Sequence, residues 1–484
     1  MPTIAELTLI LPELFLLGAT CVLLLLDLFI AEQRRPMIHF LSVATLVATA
    51  ILTVRGGGTV TESTALFGGL LIRDSAGDIL KLAIYLITAG VFVYARPYLA
   101  ARGLLKAEFH VLCLFAVLGM AVLVSAGSLL TVYLGLELLA LSSYGLVALH
   151  RDDRSASEAA MKYFVLGALA SGMLLYGMSL IYGATGSLDL AMIHAAAASA
   201  DRALLLTGAV FVIAGIAFKF GAAPFHMWLP DVYQGAPTAV TLFIGSAPKI
   251  AAFGMAYRLL DAGLGPVAEH WQILLTWLSI LSLVIGNLLA IAQTNIKRML
   301  AYSTVSHVGF LFMALANTGA VGFASAMFYA IAYALMAAAG FAAIMLLSRR
   351  GFEAERIDDF KGLSSRHPWH ALMILFVMAS MAGIPFFLGF WAKLAVLRAA
   401  VDAGLIGLAI VGVVAAVVGA FYYLRVVKVM YFDAPESEPE PGEGPTAGSD
   451  PQFRWLFSVN ASLLLVLGLG WSPLMNWCMR AMGL

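Results

Sequence analysis

Glu137, Lys219, Lys249 and Lys393 stand where the sequence is otherwise apolar. A charge at the centre of a bilayer costs about 2.5–3.5 kcal/mol on insertion scales, and such residues mark ion or proton pathways. The pairing of types is chemically pointed. The distance between a buried lysine and a carboxylate sets how tightly the lysine holds its proton, so a change of distance loads or unloads it. Glu137 has two readings: a carboxyl kept neutral by its surroundings, or the partner of a lysine on another span. Lys162 opens an apolar run and can equally reach the interface with its long stem. His226 and His307 titrate near neutral pH when unperturbed and suit a relay, although an isolated buried histidine is more often a satisfied core residue. His110, His150, His367 and His370 sit at the ends of apolar runs and read as interfacial, as do Arg425 and Lys428.

These groups need a membrane to cross. The chain has 484 residues, 62% hydrophobic and 12% charged, with mean hydropathy +0.95. Soluble domains carry about 25% charged residues, so this is a polytopic membrane protein. Its formal net charge of zero gives no footprint for nucleic acid. Cys21, Cys113 and Cys478 are far apart, and no Cys/His cluster has metal spacing, which argues against iron–sulfur or zinc sites. No nucleotide, haem or quinone motif occurs, so no cofactor is expected in this chain. The first apolar run is too long for a signal peptide and reads as a retained span.

Runs of ~20 apolar residues number about 14, continuous enough to be helices rather than barrel strands. They fall near 4–30, 37–54, 78–96, 109–126, 129–149, 159–182 and 203–222, then 237–260, 271–292, 300–317, 321–347, 370–400, 404–431 and 454–474. Connections after odd-numbered spans carry most of the Lys and Arg, including Arg34, Arg35, Arg102, Lys106, Lys297, Arg298 and Arg350. That bias predicts cytoplasmic odd-to-even connections and both termini on the periplasmic side. Residues 348–369 form a charged connection. Residues 433–453 are acidic and rich in Pro and Gly, the composition of an unstructured linker.

Spans 7 and 12 are interrupted. Span 7 ends in Lys219, Gly221 and Pro224, and span 12 holds Gly383, Pro385, Gly389 and Lys393; Pro248 adjoins Lys249 within span 8. Proline removes an amide donor and clashes with the preceding turn, and freed backbone groups persist in a membrane only where protein or a wet cavity satisfies them. Ala223-Pro224-Phe225-His226 resembles Ile384-Pro385-Phe386-Phe387, and the run Ser142–Val147 resembles Ser306–Leu311. Both matches shift by five spans, an odd number, so the copies have opposite orientations, as in transporters. The predicted architecture is all-α: residues 1–108 as three spans, 109–260 and 261–432 as inverted five-helix repeats, the 433–453 linker, and 454–484 as a last span. Lys393 is expected near the place that Lys219 holds in the first repeat.

The residues also carry a family resemblance. Phe218-Lys219, then Pro224-Phe225-His226, Trp228 and the run Pro230-Asp231-Val232-Tyr233-Gln234-Gly235-Ala236-Pro237, resemble the N-type antiporter-like subunits of bacterial proton-pumping NADH:quinone oxidoreductase. So do Glu158 to Tyr163, Gln293 to His307, and Gly383 to Lys393. The resemblance covers essentially the whole chain. It implies a bacterial inner-membrane subunit of the respiratory complex, partnered by other membrane-arm subunits. NADH, FMN, iron–sulfur clusters and quinone would lie in other chains. It further implies that Glu137 pairs with Lys219, that Lys162 lies near that pair, that Lys249 is central, that His226 and His307 relay, and that Lys393 serves the outlet. Span 12 is bulkier than the family pattern at Phe386, Phe387, Leu388 and Trp391, leaving less room for water near Lys393. Two rival readings are a stand-alone Mrp-type cation/proton antiporter and a structural spacer whose charges only hold helices together.

Overall fold

With no water to satisfy it, an apolar run must bond its own backbone, and a helix does this within one segment. The computed structural model describes residues 3–30, 36–57, 63–434 and 447–484. Most of the predicted linker, residues 435–446, lies outside the described residues, as do Arg34 and Arg35.

The N-terminal unit comprises α1 (Ile4–Leu9), α2 (Leu11–Asp27), α3 (Pro36–Gly57) and α4 (Ser75–Ala101). A short antiparallel hairpin, β1 (Thr64–Leu66) with β2 (Leu71–Arg73), precedes α4. Next come α5 (Ala107–Val124), α6 (Leu129–Val147), α7 (Arg154–Thr185), α8 (Leu190–Ala196) and α9 (Arg202–Phe220). After a break follow α10 (Trp228–Gly235), α11 (Thr238–Gly245) and α12 (Ala247–Tyr257), the last running into a π-helical turn, Arg258–Gly263. The second half holds α13 (Ala268–Ile291), α14 (Ile296–Leu315), α15 (Ala320–Leu347), α16 (Leu363–Arg366), α17 (Pro368–Ala382), α18 (Leu388–Asp402) and α19 (Ile406–Phe432). The chain closes with α20 (Pro451–Leu469) and α21 (Ser472–Ala481).

Among the described residues, 11 helices are long and apolar enough to cross a membrane. Three predicted spans fall outside that set, each for a local reason. The first is divided at Ile10 into α1 and the 17-residue α2. The tenth, α14, is interrupted in hydropathy by Lys297, Arg298 and a run of Ser, Thr and His. The twelfth is broken into α17 and α18 at Gly383. The hairpin, α8 and α21 were not legible: each is short and takes its place from tertiary neighbours.

Helix pairs approach closely through glycine. A Cβ on Gly177 of α7 would lie 2.7 Å from the Gly208 carbonyl of α9, and one on Gly208 would lie 2.9 Å from the Gly177 carbonyl. Gly119 and Gly135 join α5 to α6 in the same reciprocal way. Without a hydrophobic drive between helices in lipid, such close backbone approach supplies the packing.

The connections after odd-numbered spans meet at one end of the molecule. Glu353 accepts from Tyr98 (2.9 Å), from Arg102 (2.5 Å) and from the Thr238 hydroxyl. Glu355 accepts from Asn295 at 3.0 Å and faces Lys297 at 3.4 Å, while Lys297 donates to the Ala236 carbonyl at 2.9 Å. Tyr98, Arg102, Ala236, Lys297, Glu353 and Glu355 border a cavity of about 1110 Å³ that also reaches Asp153 and Gln234. Arg425 donates to the Ile291 and Gln293 carbonyls (2.9 and 2.6 Å) and so closes the C-terminal end of α13.

Candidate functional site

The two interruptions have the same backbone. α9 ends at Gly221 (φ 78°, ψ 37°) and α17 at Gly383 (φ 84°, ψ 37°), both in the left-handed region open to glycine. In each, the next residue donates back five positions, Ala222 to the Ala217 carbonyl and Ile384 to the Ala379 carbonyl.

A helix end leaves carbonyls without intrahelical donors and carries the negative end of the helix dipole. Lysines occupy both ends. Lys249, on α12, donates from Nζ to the Phe220 carbonyl at 2.7 Å. Lys393, on α18, donates to the Met381 and Ala382 carbonyls at 2.9 and 3.0 Å. Both side chains are buried. Each ammonium also lies over an aromatic ring, Lys249 over Trp228 at 5.3 Å and Lys393 over Phe310 at 5.4 Å. The structural counterpart of Lys393 is therefore Lys249 in its seating. It is not Lys219, which lies before the break on α9, whereas Lys393 follows the break on α18. Matching proline fragments located the breaks but did not say which helix supplies the cation.

Lys219 and Glu137 are electrostatic neighbours but form no ion pair. Glu137 Oε1 is buried without a hydrogen-bond partner. Lys219 borders a cavity of about 20 Å³ with Tyr144, Tyr163, Ser171 and Trp228, enough for roughly one water molecule.

His307, on α14, is the best-connected buried histidine. Nδ1 meets the Tyr329 hydroxyl at 2.6 Å and Nε2 the Tyr423 hydroxyl at 3.0 Å. Tyr423 also hydrogen-bonds Ser303, and Tyr333 donates to Thr304 at 2.7 Å with its ring 5.0 Å from that of His307. His307 and Lys393 are electrostatic neighbours. On the other side, Trp228 touches Tyr233, whose buried hydroxyl is unpartnered. Sequence reading assigned the hydroxyls of these tyrosines no role, because a tyrosine in an apolar run looks like any aromatic until its hydroxyl finds a partner.

His226 stands apart from this group. It is half-buried, its Nδ1 has no partner, and its ring neighbour is Tyr302 at 6.3 Å. Lys162 is also peripheral: Nζ bonds Asp231 at 2.8 Å and Glu158 at 2.9 Å, and its side chain is 45% exposed. Asp231 in turn holds Arg298 at 2.9 Å. Because Asp231 keeps Arg298, Lys162→Ala is expected to leave the yield of folded protein in membrane extracts at the wild-type level, which immunoblotting measures.

An all-helical bundle with buried lysines seated on the ends of paired interrupted helices is a membrane protein of the transporter type. The family model described as NADH:quinone oxidoreductase/Mrp antiporter, transmembrane, matches residues 126–419. The NADH-quinone oxidoreductase subunit N of Xanthomonas euvesicatoria is 58% identical over 480 residues, covering 99% of this chain and 97% of its own. That of Thioalkalivibrio sulfidiphilus is 54% identical, covering 95% of each. A chain of respiratory complex I from Thermus thermophilus superposes with TM-score 0.81 at 32% identity, covering 96% of this chain and 98% of its own. A chain of the Mrp complex of Dietzia shares the fold, with TM-score 0.83 at 23% identity over 99% of this chain and 97% of its own. The chain belongs to the NADH:quinone oxidoreductase/Mrp antiporter family.

Proposed function

We propose that this chain is the N-type antiporter-like subunit in the membrane arm of a bacterial NADH:quinone oxidoreductase, and that it translocates protons through the buried line Lys249, His307 and Lys393. The identity of 58% over nearly the full length to a subunit N favours this over a stand-alone antiporter. One observation carries the proton reading: both buried lysines hold their ammonium groups on free carbonyls of an interrupted helix, with a histidine bonded to two tyrosines near one of them. A cation held by neutral carbonyls keeps no fixed counter-ion, so its proton can leave without stranding a buried carboxylate. Glu137 and Lys219 form a second charged station, whose mutual distance sets the proton affinity of the lysine and couples it to Lys249, its electrostatic neighbour. His226 and Lys162 are assigned to peripheral steps.

In this reading both termini are periplasmic, the protein resides in the inner membrane, and the 1110 Å³ cavity opens to the cytoplasm. Among the described residues, no group of three His, Cys, Asp or Glu can hold a metal ion. The proposed chain carries no redox centre; NADH, FMN, iron–sulfur clusters and quinone belong to other subunits of the complex.

The test is a pair of hydroxyl deletions that leave the rings in place. Tyr329→Phe combined with Tyr423→Phe should lower protons moved per NADH by about tenfold, or ~1.4 kcal/mol, while NADH oxidation with a soluble electron acceptor is unchanged. Pumping at the wild-type ratio in the assembled double variant would remove His307 from the path.

A further inference from the structure

The N-terminal unit, outside the Lys249–His307–Lys393 line, holds charges of its own. Lys81 of α4 pairs with Glu13 of α2 at 2.5 Å, and Asp78, one turn earlier on α4, pairs with Arg73 at 3.3 Å. Arg73 and Lys81 are almost fully buried. Beside them Arg258, from the turn after α12, holds Asp74 through two bonds of 2.6 and 2.8 Å. All these charges balance, yet two carboxylate oxygens, Glu13 Oε2 and Asp78 Oδ1, are buried with no hydrogen-bond partner. The Tyr85 hydroxyl, a further turn along α4 and 1% exposed, neighbours both carboxylates and Thr53 and is likewise unpartnered. A buried polar atom left unsatisfied forfeits its hydration with nothing in return, so each calls for an explanation.

From this cluster a polar face runs along α3. Thr53, Thr49, Thr45 and Ser42 recur every three or four residues and are all buried. The face ends at His39, whose Nδ1 meets Nε2 of His110 on α5 at 3.3 Å; His110 Nδ1 has no partner, and neither has Ser42 Oγ. From Thr53 to His39 the helix rises about 21 Å, and successive hydroxyls are ~4.5–6 Å apart along it. Thr45, Thr49 and Thr53 each donate to the carbonyl four residues earlier, at 2.8, 2.8 and 2.9 Å, and a gap of this length between hydroxyl oxygens is one that a single water molecule can bridge. Packing alone accounts for small polar residues at a helix interface. It does not account for three unpartnered atoms in the carboxylate–lysine cluster at one end of the face, on Glu13, Asp78 and Tyr85, and two more, Ser42 Oγ and His110 Nδ1, at the histidine end.

We propose that this N-terminal unit carries a second protonatable line, from Glu13, Asp78 and Lys81 to His39 and His110, and that the chain moves protons along it as well. The proposal rests on the proton-translocating reading above. In each transfer an O–H or N–H proton passes to the next lone pair, and the donor is reloaded from the group before it, so no net charge remains on a hydroxyl.

The experiment measures protons moved per NADH in vesicles holding the whole assembled complex. Asp78→Asn tests the carboxylate, and Thr49→Val removes a hydroxyl at nearly constant volume, so it remains informative if Asp78→Asn fails to assemble. The expected result is that Thr49→Val lowers the ratio by the same fraction as Asp78→Asn, while NADH oxidation by a soluble acceptor stays at the wild-type rate. A wild-type ratio in Thr49→Val means the hydroxyl face only packs helices, and overturns the proposal. Lys249→Ala is measured alongside. If it alone stops pumping, the second line falls and the central one stands; if neither variant changes the ratio, both fall.

Discussion

Lys249→Arg should assemble into the complex and still pump at least tenfold fewer protons per NADH than the wild type, a difference of ~1.4 kcal/mol or more. The argument turns on what the site asks of its cation. Lys249 is held by the Phe220 carbonyl at 2.7 Å and lies over Trp228. A guanidinium supplies the same positive charge, donates to the same carbonyl and stacks on the same ring, so the interrupted end of α9 keeps its cap. What arginine does not do is give up its proton under any condition met in a protein. Lys249→Ala makes the complementary change. It removes the proton carrier and also leaves the Phe220 carbonyl without a donor, and truncating a large buried side chain costs about 2–5 kcal/mol. If pumping depends only on charge holding the helices together, the arginine variant works and the alanine variant does not. If pumping depends on release of the proton, both lose it and only alanine loses stability. Proton pumping, read together with the yield of intact complex, separates the two.

The second large effect concerns the other break. Gly389→Ala should reduce the recovered complex several-fold. α18 begins against α17: the Gly389 amide donates to the Ser380 hydroxyl at 3.1 Å. A Cβ at this position would overlap the Ser380 carbonyl oxygen and lie 2.9 Å from Met336 Sδ. The methionine sulfur can move, but the carbonyl is backbone within the last turns of α17. Overpacking of this kind costs about 1–3 kcal/mol, and here the strain falls on the helix end whose carbonyls hold Lys393. Gly407→Ala, where an added Cβ meets no atom within 4 Å, is the matched control and should leave the yield unchanged. Equal yields from the two variants would show that α17 and α18 do not need this close approach.

The breaks were readable because their cause is local: Gly221 and Gly383 adopt a left-handed backbone that few other residues accept, and proline stands close behind each. The buried lysines were readable because a charge in an apolar run has no cheap alternative. Their partners were not. Whether Glu137 reaches Lys219 depends on how α6 and α9 are rotated, and the structure leaves them as neighbours without an ion pair. That lysines would sit on helix carbonyls rather than on carboxylates was equally hidden, since a carbonyl is present at every residue and only the break makes one free. Glu13, Asp78 and Lys81 were passed over for the opposite reason. Asp78 and Lys81 open their apolar run, where a charged side chain can reach the interface, and only the packing of α2, α3 and α4 buries them with Glu13.

The Glu353 carboxylate joins parts of the chain that are distant in sequence. It is bound by Tyr98 and Arg102 from the end of α4 and by Thr238 from the first turn of α11, and Tyr98 also accepts from the Thr238 amide at 3.1 Å. The result works as a rivet. The N-terminal unit, the start of α11 and the connection that follows α15 are fixed to one another at a single point. A push on any one of them is therefore borne by all three.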